Sequence, residues 1–486
     1  MPDGSLSLPF KKVLIACRGE AAMRVMRACR ELSLPAVVAY SEADRDALPT
    51  LLADEAVCIG PAPEADSYMN LSRVLSAAEI TSCDALHPGG AFFADKPEFI
   101  EAASTCGIAF IGPSADAVRL LSDRIRCREV ARGAGVTVVP GTDGEVTDPA
   151  AAAAIAERLG YPVVCKAAAG RGTRSMRVVR RDRDLESGLR LCQAEAKAAS
   201  GDARVYLEKL LTGCRHLRVP VLADNTGNVR ALVERDRSVQ YRYGVLLDES
   251  PSPAVEEKLR ERLLAAAEKV ARALELRQPG TIDFFATAEG ECYFAGADSR
   301  LEPDHPVTEM LCGIDWAGAG IRAVAGLQAG DEGRGAGDEG RSQSAECRMQ
   351  NEERKGKIAD CKSQIAGARC EGCAMLCRIS AQNPDAEFEQ TSGLLTEVRL
   401  PGGPGVRVDS YIAPGYEVPP VYDPLLAKIT VWAPDRERAI ARMERCLGET
   451  TVSGLKTTIG LQRRLLANAR FRRGTLGVGA LDEELG

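Results

Sequence analysis

The sequence predicts a chain of mixed class, α/β at its start and α+β beyond, and three observations carry that prediction. Short β-branched runs alternate with helical stretches through the first third, from "KVLIAC" to "IAFIGP". The middle mixes strands and helices in looser order. Between about 328 and 372 the pattern collapses into Gly-rich, charged sequence before strands return. At 486 residues the chain is too long for one core, so several domains are implied.

The opening rhythm runs "KVLIAC", then "GEAAMRVMRACREL" with Ala22, Val25, Met26 and Cys29 at helical spacing, then "PAVVAYS", "AVCIG", "DALHPG" and "IAFIGP". Such alternation implies a parallel sheet wrapped by helices. From Ser114 a helix is predicted through "SADAVRLLSDRIRCREVARGAG". Strands follow at "YPVVCKA", "MRVVRR", "ARVYLEKLL", "HLRVPVLAD" and "VRALVERD", with a helix over about 185–199 among them. A helix over roughly 253–276 precedes the strands "GTIDFFAT" and "ECYFAG". Past the weak segment, "AMLCRIS", "GVRVDSYI" and "LLAKITVWA" read as strands and "DRERAIARMERCLGE" and "TIGLQRRLLANARF" as helices, a separate C-terminal α+β domain. The boundaries read are 12–113, 114–327 with a lid at about 140–210, an insertion or mobile loop at 328–372, and 373–486.

A net charge of -7 supplies no broad basic footprint, which argues against nucleic acid as a partner. No apolar run approaches the roughly 18 to 20 residues that span a bilayer, and "MPDGSLSLPFKK" lacks an apolar leader core, so a cytoplasmic location without membrane contact is expected. The 17 Cys fall mostly inside apolar elements, as small buried hydrophobes do, and a disulfide framework is not expected. Cys347, Cys361, Cys370, Cys373 and Cys377 lie close together, but a zinc site needs a second pair or a nearby His that the segment lacks.

Blocks such as "RGEAAMRVMRACREL", "HPGGAFF", "FIGPSADAVRLLSD", "YPVVCKA", "RHLRVPVLAD", "DHPVTEM" and "YDPLLAKI" occur in one order from about Lys12 to Leu485. Together they resemble the biotin carboxylases, ATP-grasp enzymes that carboxylate biotin on a carrier protein, using ATP and bicarbonate, for acyl-CoA carboxylation. The resemblance implies a Rossmann-like preATP-grasp domain, an ATP-grasp domain with a lid, and a C-terminal biotin carboxylase domain. It also implies ATP and Mg²⁺ as ligands, and a homodimer or pairing with a paralogous biotin carboxylase. Biotin carboxyl carrier protein and carboxyltransferase are the implied partners. No Met-Lys-Met-type attachment motif is present, so biotin is expected on a separate carrier chain.

On the nucleotide side the resemblance implies that Lys166 contacts phosphate, that Glu208 and Lys209 lie beside adenine, and that His216 and Gln240 stand near ribose and phosphates. Arg124 stands where the family has a second lysine. The family's lid loop is a glycine run, because only Gly lets consecutive amides close on phosphate without Cβ clashes. Here Gly170 and Gly172 remain, while Arg171 and Arg174 offer guanidinium forks instead. For Mg²⁺ the matching positions are Asp283, Gly296 and Asp298, so one bridging carboxylate is missing and the charge is displaced to Asp298. One metal ion, held more weakly than in the family, is expected.

On the acid-substrate side, Arg300 matches the arginine that clamps bicarbonate, Asp304 the glutamate that acts as base, and Arg378 the arginine that stabilises the biotin enolate. Four departures surround them. Val245 replaces a lysine, Glu302 a neutral glutamine, and Pro303 a residue whose N–H donates to bicarbonate. Asp304 is one methylene shorter than the family base, and misplacement on the order of 1 Å can cost ~10²-fold. These departures imply weak or lost carboxylation, leaving as alternatives a non-catalytic nucleotide-binding scaffold or regulator, or a ligase for a different acid.

Overall fold

A computed structural model describes residues 8–169, 176–241, 244–327 and 370–481. Gly170, Arg171, Gly172 and Arg174 of the lid loop, and Cys347 and Cys361 of the 328–372 segment, lie outside the described residues.

The N-terminal alternation folds as read, into a five-stranded parallel sheet in the order Glu55–Cys58, Ala36–Tyr40, Val13–Ile15, Ala85–His87, Ala109–Phe110. Every residue of Val13–Ile15 is buried, as a central strand between two helical layers requires. The helix Gly19–Glu31 packs Ala22, Val25, Met26 and Cys29 into one of the two flanking cores.

The continuous helix expected from Ser114 is instead two, Ala115–Ser122 and Arg124–Gly133. Asp123 adopts an extended conformation between them and its carboxylate caps the second helix at the Arg126 N–H. The break is held by tertiary bonding that helix propensity does not register: Arg124 N–H donates to the Ala168 carbonyl at 2.9 Å, and Asp123 bridges to Ala169. Within the stretch read as the lid, Met176–Val179, Val163–Ala167 and Val205–Lys209 form a three-stranded antiparallel sheet. The helices Pro149–Leu159 and Leu185–Ser200 pack on it through Ala152, Ala156, Leu189 and Cys192.

The largest sheet has nine strands and takes them from both sides of residues 328–369. Cys292–Asp298, Gly280–Ala286, Arg215–Ala223, Arg235–Tyr241 and Gly244–Ser250 follow one another, and Cys373–Ser380, Leu425–Ala433 and Val406–Ser410 continue the row. Val229–Ala231 pairs with Arg215–Ala223 beside it. The C-terminal region is hydrogen-bonded to the middle of the chain through Gly244–Ser250 and Cys373–Ser380. Its helices Arg436–Glu449 and Ile459–Ala467 bury Met443, Cys446, Leu461 and Leu465 against that sheet. Among the described residues no helix is long and apolar enough to cross a membrane.

Candidate active site

One face of the large sheet, the lid strands and the N-terminus of the helix His305–Cys312 enclose a cavity of about 430 Å³. Alternation along Arg215–Ala223 places Leu217, Val219 and Val221 in the core and His216 and Arg218 on the opposite, cavity-lining face. Lys166, Glu208, Lys209, Arg124 and Gln240 line one end; Asp283, Gly296, Asp298, Arg300, Asp304 and Arg378 line the other. A second cavity of about 820 Å³ meets the first at Val245, Glu302, Pro303 and Arg378.

At the Lys166 end, Lys166 and Arg128 both donate to the buried Glu208 carboxylate. Lys209 lines the cavity but directs its ammonium to the Gly160 carbonyl at 2.7 Å. Arg124 donates to the Ala167 carbonyl at 3.2 Å. His216 lies 2.8 Å from Gln240 through Nδ1 and 3.6 Å from Asp283 through Nε2. Burial lowers its pKa against the pull of Asp283.

At the other end every predicted acid is held by arginine. Arg218 donates to both oxygens of Asp283 at 2.5 Å and, through Nη1, to Glu302. Arg235 takes the second Glu302 oxygen at 2.6 Å, and Thr281 adds a hydroxyl bond at 3.2 Å. Arg300 folds back on Asp298, with Nη2 at 2.8 Å and Nε at 3.1 Å. Asp304 is the N-cap residue of His305–Cys312, yet its carboxylate makes no capping bond. It accepts from Arg378 Nε at 2.8 Å, from Arg378 Nη2, and from Arg237 at 3.3 Å. Burial pushes the Asp304 carboxyl up, but the two guanidinium groups outweigh that and hold it well below the usual carboxylate range. Asp283 is likewise depressed, Arg218 and His216 overcoming its burial.

The fit of this donor set to Mg²⁺ follows from those bonds. Mg²⁺ takes carboxylate oxygens at about 2.0–2.1 Å in octahedral array. Asp283 already gives both oxygens to Arg218, Asp298 both to Arg300, and Gly296 brings no side chain, although a Cβ there meets nothing within 4 Å. Among the described residues no group of three or more His, Cys, Asp or Glu could hold a metal ion. As arranged, the protein's own ligands do not fit a resident metal. Of the cysteine cluster, the described members Cys373 and Cys377 are buried in a strand, and Cys370 lies beside Cys312, Sγ to Sγ 2.7 Å.

Sequence reading missed Arg218, Arg235, Arg237 and Asp248. Asp248 is wholly buried, with no hydrogen bond to either oxygen and Arg237 at 3.9 Å. Burial, then the Asp304 charge, push its carboxyl up to about 7.

The comparisons with known proteins agree with this architecture. Family models match in sequence order: the biotin carboxylase N-terminal domain over 9–118, the carbamoyl-phosphate synthase L chain ATP-binding domain over 123–330, and the biotin carboxylase C-terminal domain over 376–483. Biotin carboxylase 1 of Bacillus subtilis is 40% identical over 97% of this chain and 98% of its own. The chain belongs to the biotin carboxylase family. Among solved structures, the Campylobacter jejuni biotin carboxylase in complex with β,γ-ATP superposes with a TM-score of 0.87 at 36% identity, covering 98% of this chain and 99% of that one. The biotin carboxylase domain dimer of Hydrogenobacter thermophilus 2-oxoglutarate carboxylase, which holds MgADP, ADP and bicarbonate, also gives 0.87 at 36% identity, over 99% and 98% of the two chains.

Proposed function

We propose that this chain is a nucleotide-binding biotin carboxylase homologue in which carboxylation of a biotinyl carrier protein is weak or lost. The family reaction needs a base to take the bicarbonate proton and cations to hold the anion. The observation that carries the reading is Asp304: a buried carboxylate clamped by Arg378 and Arg237, with depressed proton affinity, makes a poor base. The same clamp engages Arg378, the group for the biotin enolate. Arg300 is turned onto Asp298, Val245 brings no charge, and Pro303 brings no N–H. Nucleotide binding is supported by Lys166, Arg124, His216 and Gln240 lining one cavity wall. A dimer and a biotinyl carrier partner belong to the same proposal, supported by the dimeric relative.

The test is ATP cleavage with Mg²⁺, with and without bicarbonate and free biotin, alongside calorimetric titration of ADP. The expected result is ADP binding with no turnover that needs both substrates. Turnover dependent on both would overturn the loss of carboxylation, and absence of ADP binding would overturn the nucleotide-binding part.

A further inference from the structure

Sheet register sets Gly296, Asp283 and Arg218 in one row across three adjacent strands, Asp283 paired with Gly296 on one side and Arg218 on the other. Cross-strand partners sit about 4.5–5.5 Å apart, so their side chains meet. On one flank of Asp283 there is open space: nothing lies within 4 Å of a Cβ at 296. On the other flank stands a guanidinium that grips both Asp283 oxygens and reaches Glu302.

We propose that Arg218 is the resident cation of this site, supplying positive charge to the phosphates of a bound nucleotide while keeping divalent ions off the protein's carboxylates. A guanidinium has five N–H donors. Three are engaged, by Asp283 and Glu302, so two remain for a ligand in the cavity that Arg218 lines. Its side chain is 13% exposed, enough to be touched from the cavity yet fixed by its fork. A divalent ion reaching Asp283 must strip a bidentate, charge-assisted pair from a buried carboxylate. It would also leave Arg218 facing the new charge. With no acid at 296 and a guanidinium at 218, a fixed protein cation stands beside Asp283 in place of an exchangeable one. Metal that arrives with a nucleotide stays on its phosphates and waters.

The inference rests on the nucleotide-binding reading for its phosphate contact and is independent of it for metal exclusion, so the test has two arms. In the first, the full chain without nucleotide is titrated with Mn²⁺ and followed by electron paramagnetic resonance. Wild type is expected to show no saturable Mn²⁺ site, whereas Arg218→Gln, which releases both Asp283 oxygens from the guanidinium and leaves Glu302 Oε1 only its Thr281 bond, gains one. A saturable site in wild type overturns the proposal, as does a folded Arg218→Gln without one. Should that variant fail to fold, the wild-type titration decides alone. In the second arm, ADP affinity is compared in EDTA and in excess Mg²⁺. By linkage, a metal that gains no protein ligand does not tighten ADP, so affinity in excess Mg²⁺ stays level or falls, and a gain above about threefold overturns the proposal. If ADP does not bind at all, the functional reading and the phosphate contact fail together, while the Mn²⁺ arm still decides metal exclusion.

Discussion

The two ends of the smaller cavity use the same side-chain types in different proportions. At the Lys166 end, Arg128 and Lys166 share a single acid, Glu208, and leave positive charge in excess. At the Asp304 end, Arg218, Arg235, Arg237, Arg300 and Arg378 face Asp248, Asp283, Asp298, Glu302 and Asp304. A count of arginines would name the second end the better anion site. Unshared positive charge is what draws an anion in, and by that measure the first end is better, because a paired guanidinium, Arg218 included, offers only the N–H donors its carboxylates leave over.

The largest way to break this contrast is Asp304→Asn. It removes the shared partner of Arg237 and Arg378, and breaking a buried pair costs about 3–5 kcal/mol. Arg378 is 23% exposed, so the loss should fall at the lower end, about 3 kcal/mol, read by chemical denaturation. Lys166→Met probes the other end. ADP affinity should drop on the order of tenfold by calorimetry, a cost of about 1.4 kcal/mol. Stability should change little, since Arg128 still holds Glu208. A drop in stability as large as that of Asp304→Asn would erase the distinction between the ends.

Asp248 sharpens the comparison through pH. Its carboxyl titrates at about 7 in the folded chain against about 3.9 unfolded, so the folded state holds the proton to higher pH. Stability contributed by this group is therefore full below the unfolded value and is lost as pH rises from about 4 through about 7. Asp248→Asn escapes that loss, and its advantage over wild type should grow to about 4 kcal/mol at pH 8 and vanish near pH 4. An advantage independent of pH would refute the assignment. The smallest effect is at Gly296, where Gly296→Ala fills open space and should stay within about 0.5 kcal/mol of wild type.

The parallel sheet was legible because its strands are short β-branched runs bounded by turns, a local signal. The helix break at Asp123 was not, because it is fixed by bonds to Ala168 and Ala169, more than 40 residues away. Lys166, His216, Asp283 and Arg378 line the cavities, whereas the partners that consume the acids escaped the motif reading. Arg218 carried a usable signal: it lies two residues from His216 on a strand, hence on the same face. Arg235 and Arg237 carried none. The strand they share with Gln240 changes register between Asp236 and Gln240, and such an irregularity re-aims side chains against simple alternation.

The seam between Gly244–Ser250 and Cys373–Ser380 also sets a schedule for synthesis. Gly244–Ser250 leaves the ribosome long before the strand that covers its open edge. At roughly 5–20 residues per second the wait is on the order of ten seconds. Throughout that interval the nascent chain displays an unpaired strand edge, the feature through which chains join one another instead of themselves. Newly made protein should therefore be most prone to clump before its last quarter emerges, and a chain truncated ahead of Cys373 should remain in that vulnerable state.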